Sequence, residues 1–215
     1  MQIKPILCRN LSRRRFLGQT VAVGAVLTLA WPAQPASIGE TMGEVLVNGM
    51  RAMRDTVIRV GDRIETAAGA HLVFRIGNDA FLVREMSSVV LEASAGTKAL
   101  LSGLRLVTGA LLGVFGPGMK LISTSLVSGA IRGTGIYVEA SPERSYFCTC
   151  YGDVGLSSAD GAKKDVITRD HSAHYIHAKP GAAGAIVSAP MMGHTNAELA
   201  MLEKLVGRAP RLKPG

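Results

Sequence analysis

The chain has 215 residues, of which 47% are hydrophobic and 5% aromatic, and it contains 25 glycines. This length suits one domain with appendages, and frequent glycine among many aliphatic residues favours short strands and tight turns over a helix bundle. The net charge is +8, but residues 1–36 carry five of these positive charges and no acidic residue, and the remaining +3 gives little support to nucleic-acid binding.

Residues 1–36 have the pattern of a signal peptide. The basic stretch Ser12–Leu17 precedes an apolar run over 19–30 and small residues over 33–36. The run is too short to span a membrane, and Ser-Arg-Arg-x-Phe-Leu resembles the twin-arginine signal, which exports folded proteins. An ordinary secretory signal with an extra arginine is the alternative. We therefore expect a periplasmic or secreted protein, cleaved within 33–36, with no transmembrane helix in the mature chain.

Short strands are predicted along the mature chain. Residues 37–55 show no clear pattern and are predicted to form a linker or strand. From residue 56 onward, apolar runs of about five residues alternate with Gly, Asn and Asp, which is typical of an antiparallel meander. These runs cover 57–60, 63–66, 71–76 and 80–85, and similar pieces continue over 104–124.

Two longer strands joined by a polar turn follow over 130–140 and 145–156. By the two-residue period of a strand, Ile136 and Val138 point to one face and Tyr137 to the other. A sandwich or rolled sheet protects the edges of so many short strands. The predicted fold class is therefore all-β, with antiparallel strands in a sandwich or rolled sheet.

This strand pair resembles the FecR domain, a family of exported bacterial sensor and envelope modules. Its members carry a strand A-V-R-G-T-x-h-x-V, in which h is apolar, and a partner strand that ends in G-x-V-x-h. Here these read Ala130–Thr134 and Gly152–Leu156. The pattern of the family's first half is matched by Gly61, Asp62, Thr66, Gly69, Phe74, Ser88 and Leu91.

The resemblance covers about residues 56–158. It implies a FecR-like β domain that works as a binding or envelope-interaction module. It also implies that Arg132, in the turn before the motif strand, matters more for the fold than an exposed arginine such as Arg208.

Residues 159–194 are more polar and are predicted to form an extension of strands and loops. A short C-terminal helix is predicted over 195–207, because Thr195 and Glu198 have the spacing of a capping box. The tail 208–215 is basic and is predicted to be mobile. One apolar stripe of the helix is expected to dock on the sheet: Leu199, Leu202, Leu205 and Val206.

Cys148 and Cys150 are the two cysteines of the mature chain, because Cys8 lies in the signal peptide. On a strand, residues i and i+2 share a face, so both sulfur atoms point the same way. Their Cα atoms would be about 6.6–6.8 Å apart, at the limit of disulfide geometry. Two thiolates with nearby imidazoles suit zinc or copper(I), and the thioethers of Met191 and Met192 favour copper(I).

Four of the five histidines lie between residues 171 and 194. On a strand, His171 and His177 share a face that His174 opposes, so these three cannot ligate one metal together. His194 precedes the predicted helix, in a loop that can fold onto the sheet. The predicted metal site is therefore Cys148, Cys150, His171 and His194.

Other interpretations remain open for these residues. The cysteines can form a strained or redox-active disulfide, pair between molecules, or stay buried as small side chains. The histidines can be solvated loop residues. His71 lies alone on its predicted strand, where a surface or packing role is expected.

The sequence contains no nucleophile motif, phosphate-binding loop or paired-carboxylate signature, so we expect no enzymatic activity. The expected function is that of an exported binding or sensor module, with a metal-binding or redox protein as the alternative. The partner is expected to be a protein, an envelope component or a small ligand, and not a nucleic acid.

Overall fold

The computed structural model of the protein describes residues 37–94, 97–182 and 184–212, and the predicted signal peptide lies outside the described residues. This part of the chain forms fourteen strands and one short C-terminal helix, which confirms the predicted fold class. The elements are β1 (Ser37–Met42), β2 (Val45–Val47), β3 (Met50–Arg51), β4 (Arg63–Thr66), β5 (His71–Ile76), β6 (Asp79–Val83), β7 (Ser88–Ser94), β8 (Thr97–Val114), β9 (Met119–Ser123), β10 (Val127–Ala140), β11 (Arg144–Ser158), β12 (Lys163–Thr168), β13 (Ser172–Gly181), β14 (Gly184–Ala189) and α1 (Asn196–Leu205).

The strands form one large sheet. Its main path runs β14-β13-β11-β10-β9-β8-β7-β4-β2-β3, and β12, β6, β5 and β1 pair beside it. The described pairings are antiparallel, as expected, with one exception: residues 103–105 of β8 run parallel to residues 121–123 of β9. Gly103 permits this close approach, because a Cβ atom there would lie 2.0 Å from the carbonyl oxygen of Leu121.

Both faces of the central strands are buried. Ile136 and Val138 of β10 belong to the larger cluster of buried side chains, the first core, whereas Tyr137 belongs to a second cluster. The predicted two-faced pattern of this strand is therefore confirmed. The second cluster, here called the second core, comprises Val73, Ala80, Leu82, Ala110, Leu112, Val114, Tyr137, Tyr146, Cys148, Cys150, Tyr151, Ala173, Leu199 and Leu202.

The sheet continues beyond both ends of the predicted 56–158 domain. Residues 37–55 contain β1, β2 and β3, of which β1 pairs with β5 and β2 pairs with β4. Residues 159–194 contain β12 and β13, which both pair with β11, and β14, which pairs with β13. These flanking segments therefore complete the sheet.

The capping box of α1 is formed as predicted. The backbone N–H of Glu198 donates to the Thr195 hydroxyl (3.2 Å), and the N–H of Thr195 donates to the Glu198 carboxylate (2.8 Å). Leu199 and Leu202 of the apolar stripe are buried in the second core. A ten-residue helix is marginal alone, so this docking stabilises it. In the described part of the chain, no helix is long and apolar enough to cross a membrane.

Of the two arginines compared in the sequence, Arg208 does not have the exposed environment that was expected. Arg132 is exposed. The Arg208 side chain is 23% exposed and donates to the Glu203 carboxylate and to the backbone carbonyl of Asn78. Glu203 is buried and also accepts a hydrogen bond from the Tyr151 hydroxyl. Arg208 therefore fixes the chain after α1 to the sheet and is not the exposed arginine that the sequence suggested.

Candidate metal centre

Strand β11 directs both cysteines into the second core. Cys148 and Cys150 are two residues apart and fully buried, and both are free thiols. Tyr146 extends the same face, whereas Phe147 points into the first core. The predicted sharing of one face by the two sulfur atoms is therefore seen in the structure.

His171 lies immediately before β13, the strand next to β11. Its backbone N–H donates to the carbonyl oxygen of Cys150 (3.0 Å), which holds it beside the end of the β11–β13 pairing. Its φ angle is +24°, a conformation that non-glycine residues rarely adopt and that is enriched at functional sites. His171 thus precedes the strand on which the sequence placed it.

The other two histidines of this region lie away from the cysteines. His174 is paired with Phe147, so it shares the face of the strand that points away from the second core. His177 is paired with Arg144, at the far end of the β11–β13 ladder. Of these three histidines, the structure therefore places His171 beside the cysteines.

His194 reaches the cysteines through the segment 190–195, which folds onto the sheet as expected. The Tyr146 hydroxyl donates to the carbonyl oxygen of Pro190 (2.9 Å) and accepts the N–H of Met192 (3.0 Å). These two bonds fasten the segment directly above the face of β11 that carries the cysteines.

Gly193 allows the closest approach of this segment to the sheet. Its φ angle is +78°, and a Cβ atom there would lie 2.5 Å from the Tyr137 hydroxyl oxygen. Its carbonyl oxygen accepts a hydrogen bond from Arg84 (2.7 Å). The adjacent ring of His194 stacks on the ring of Tyr137, with 4.7 Å between ring centres. The position of His194 therefore depends on the glycine before it.

The four potential ligand atoms converge and lie within 4.8 Å of one another. The two imidazole nitrogens, His171 Nδ1 and His194 Nε2, are 3.3 Å apart. The nitrogen–sulfur distances are 3.6 Å from His171 to Cys148 and 3.2 Å from His194 to Cys150. A tetrahedral zinc ion with its usual bond lengths would give about 3.3 Å between nitrogens and about 3.5 Å between nitrogen and sulfur. These three distances therefore lie close to those of a tetrahedral zinc site.

The outer nitrogens of both rings are hydrogen-bonded away from the centre. His194 Nδ1–H donates to the carbonyl oxygen of Met192 (2.9 Å), and His171 Nε2–H donates to Asn196 Oδ1 (2.7 Å). These bonds fix both tautomers, so each inner nitrogen presents its lone pair to the other. Two lone pairs at 3.3 Å repel unless a proton or a metal cation lies between them. Such outer partners are typical of histidines that ligate metals.

The cluster also favours a thiolate. A hydrogen bond from the Cys150 thiol, with further bonds to the two histidines, lowers the pKa of Cys148 to about 4, although burial opposes this. Burial raises the pKa of Cys150 well above its ordinary value. The contact with Cys148 raises the pKa of His171. Without metal the cluster thus favours a thiolate at Cys148 and a proton on the inner nitrogen of His171, and a bound cation would take the place of that proton.

Several alternatives from the sequence fit the structure less well. The thiols are not joined, and both are too deeply buried to pair with another molecule while the fold is intact. The side chain of His171 is only 9% exposed, and His194 is 7% exposed, so neither is a solvated loop residue. The sulfur of Met192 accepts a hydrogen bond from the Tyr175 hydroxyl (3.1 Å), which occupies a thioether that the sequence associated with copper.

Asn196 is the hydrogen-bond partner of the outer nitrogen of His171, and the sequence did not reveal it. We expect Asn196→Leu to weaken zinc binding by about tenfold or more, because His171 loses the acceptor that fixes its tautomer. Asn196→Asp keeps an acceptor and should retain the wild-type affinity. Competition with a chromogenic zinc chelator measures both variants. Equal affinities for the leucine and aspartate variants would contradict this role.

Comparisons with known proteins give little further information. No family model matches the chain, and no curated protein matches it. Among solved structures, two crystal structures of a candidate anti-sigma factor from Parabacteroides distasonis, at 1.65 and 2.50 Å resolution, each match with 10% identity and a TM-score of 0.48. Each match covers 59% of this chain and 58% of the other, which is less than two thirds of that protein's length. Similarity at this level carries no information about function.

Proposed function

We propose that this chain is an exported, non-catalytic binding module that holds one structural Zn²⁺ ion in its second core. The ligands are Cys148, Cys150, His171 and His194. The observation that carries the proposal is the geometry of these four side chains: their ligand atoms converge within 4.8 Å of one another, and both histidines donate their outer N–H to a fixed acceptor.

Zinc suits this site better than copper(I). Structural zinc sites have four protein ligands in a tetrahedron, and two thiolates with two imidazoles form one of the common sets. Copper(I) prefers softer ligand sets that include thioethers. The four atoms of this cluster comprise two sulfurs and two nitrogens. The donor set and its spacing therefore favour zinc.

Burial of the site supports a structural role. Both cysteines are fully buried. The side chain of His171 and the residue His194 are each less than one tenth exposed. A catalytic zinc keeps an open position for water or substrate, whereas a site with four protein ligands is closed. The ligands come from β11, from the residue before β13 and from the segment before α1. Zinc would therefore hold the C-terminal helix segment on the sheet.

The FecR-like assignment and export belong to the same proposal. The two motif strands pair directly, with Arg132 opposite Asp153, which supports a FecR-like domain.

The twin-arginine pattern supports export of a chain that folds and binds metal in the cytoplasm. The module would then bind a protein or another envelope component. Cell fractionation tests export. We expect wild-type protein in the periplasm, whereas a variant with Arg13→Lys and Arg14→Lys should stay in the cytoplasm.

Cobalt substitution tests the metal site. We expect metal-free protein to bind one equivalent of Co²⁺ and to develop the strong visible absorption of tetrahedral cobalt, with thiolate charge-transfer bands in the near ultraviolet. Cys148→Ser should reduce the charge-transfer bands, and His194→Ala should weaken binding. His177→Ala is the matched control and should leave the spectrum unchanged. A weak spectrum typical of octahedral cobalt, or no binding, would contradict the proposal.

A further inference from the structure

The methionines of this protein have an unusual location. Methionine is among the residues most often buried in protein cores. Here all eight methionines in the described part of the chain are 37% to 71% exposed: Met42, Met50, Met53, Met86, Met119, Met191, Met192 and Met201. Exposed thioethers are available as soft ligands.

Two of these methionines line one cavity together with a histidine. The cavity has a volume of about 410 Å³ and lies between the β1–β5 pair and α1. Met42 and His71 are directly opposite each other in the antiparallel β1–β5 ladder, so their side chains share a face. Met201 of α1 lines the same cavity. Two thioethers and one imidazole thus come from three different elements.

The imidazole is oriented by a carboxylate. His71 Nε2 lies 3.4 Å from Glu40 Oε1, and as a donor to this carboxylate it leaves Nδ1 with its lone pair. Glu85 and Glu198 also line the cavity, together with one arginine, Arg84. Arg84 pairs with Glu198 (2.8 Å), so the net charge of the lining is negative. This charge attracts a cation.

We propose that this cavity binds a soft monovalent cation of the copper(I) and silver(I) class through Met42, Met201 and His71. Thioethers are poor ligands for zinc, calcium and magnesium, whereas they suit copper(I), and imidazole suits copper as well. Methionine has three rotatable bonds, so both thioethers can adjust to a small ion without backbone movement. The site shares no ligand with the zinc centre.

The sequence positions of the three proposed ligands also explain why this site needs the folded sheet. Met42 and His71 are 29 positions apart in sequence, and Met201 lies on the C-terminal helix. Strand pairing brings the first two together, and docking of α1 adds the third. The site is therefore a property of the docked helix.

Titration of protein labelled with ¹³C at the methionine methyl groups tests the proposal, with Ag⁺ as the redox-stable probe. The methyl signals of Met42 and Met201 should shift together, at lower Ag⁺ concentration than those of Met50 and Met119. If all four signals shift at the same concentration, or if those of Met42 and Met201 do not move, the proposal is wrong. Occupancy of the cysteines does not affect this criterion, so its failure is distinct from failure of the zinc proposal.

Two matched variants complete the test. Met42→Leu keeps the size of the side chain but removes the thioether. The Met201 signal should then shift only at an Ag⁺ concentration about tenfold higher or more. Met50→Leu removes an exposed thioether outside the cavity and should leave that response unchanged. Equal responses in both variants would overturn the assignment of Met42 as a ligand.

Discussion

Replacement of both Cys148 and Cys150 by serine is expected to abolish zinc binding and to lower the free energy of unfolding by about 4 kcal/mol or more. Zinc that binds the folded chain but not the unfolded chain adds its binding free energy to the free energy of unfolding. The variant loses both thiolates and leaves two histidines facing each other at 3.3 Å. Urea unfolding, with zinc measured in the same samples, gives both quantities.

Thr149→Ser is the matched control for the cysteine pair. Thr149 is buried between the two cysteines on β11, and its side chain alternates to the opposite face. Loss of one methyl group should cost about 1 kcal/mol and leave one zinc per chain. If the double serine variant unfolds at the same urea concentration as zinc-loaded wild type, the metal has no structural role.

Gly193→Ala is expected to weaken zinc binding by about tenfold or more, although Gly193 is not a ligand. A Cβ atom there would lie 2.5 Å from the Tyr137 hydroxyl oxygen, so either the buried Tyr137 ring or the segment must move. His194 stacks on that same ring, and either movement would displace it from its position above the cysteines. Chelator competition measures the affinity, and urea unfolding measures the accompanying loss of stability.

Gly161→Ala separates this displacement from backbone strain. Gly161 also has a positive φ angle, +91°, but a Cβ atom there would meet no atom within 4 Å. Alanine at Gly161 should therefore cost about 1–2 kcal/mol from the left-handed backbone alone and keep the wild-type zinc affinity. Equal zinc affinities of the two variants would show that close packing of Gly193 does not position His194.

Local sequence patterns were enough to predict the four proposed ligands. Cys148 and Cys150 occupy alternate positions of a long strand, and that period alone places both sulfurs on one face. His194 precedes a helix whose start is marked by the capping box of Thr195 and Glu198. A loop between a strand and such a helix has a predictable place above the sheet.

Other parts of the fold could not be read in this way. Strands β2 and β3 have three and two residues, which is too short for an alternating pattern. Their assignment depends on pairing with β4, and pairing partners are not encoded locally. The parallel contact of β8 with β9 likewise depends on a distant residue pair, because it forms only where Gly103, which has no Cβ atom, lies against Leu121.

The sequence also did not reveal the contacts that the C-terminal helix makes at the two proposed sites. Asn196 contacts His171 across 25 positions, and Met201 shares a cavity with Met42 through the docked helix. Each of these contacts depends on how α1 packs against the sheet. Periodicity fixes which face of a helix is buried, but not which residue it meets.

Elemental analysis of native protein, purified without chelators, tests the central claim most directly, with thiols titrated in the same samples. We predict about one zinc per chain and two thiols that react only after the protein is unfolded in the presence of a chelator. Copper in place of zinc would contradict the assignment of the metal. No metal, with either two free thiols or a disulfide, would contradict the metal centre itself.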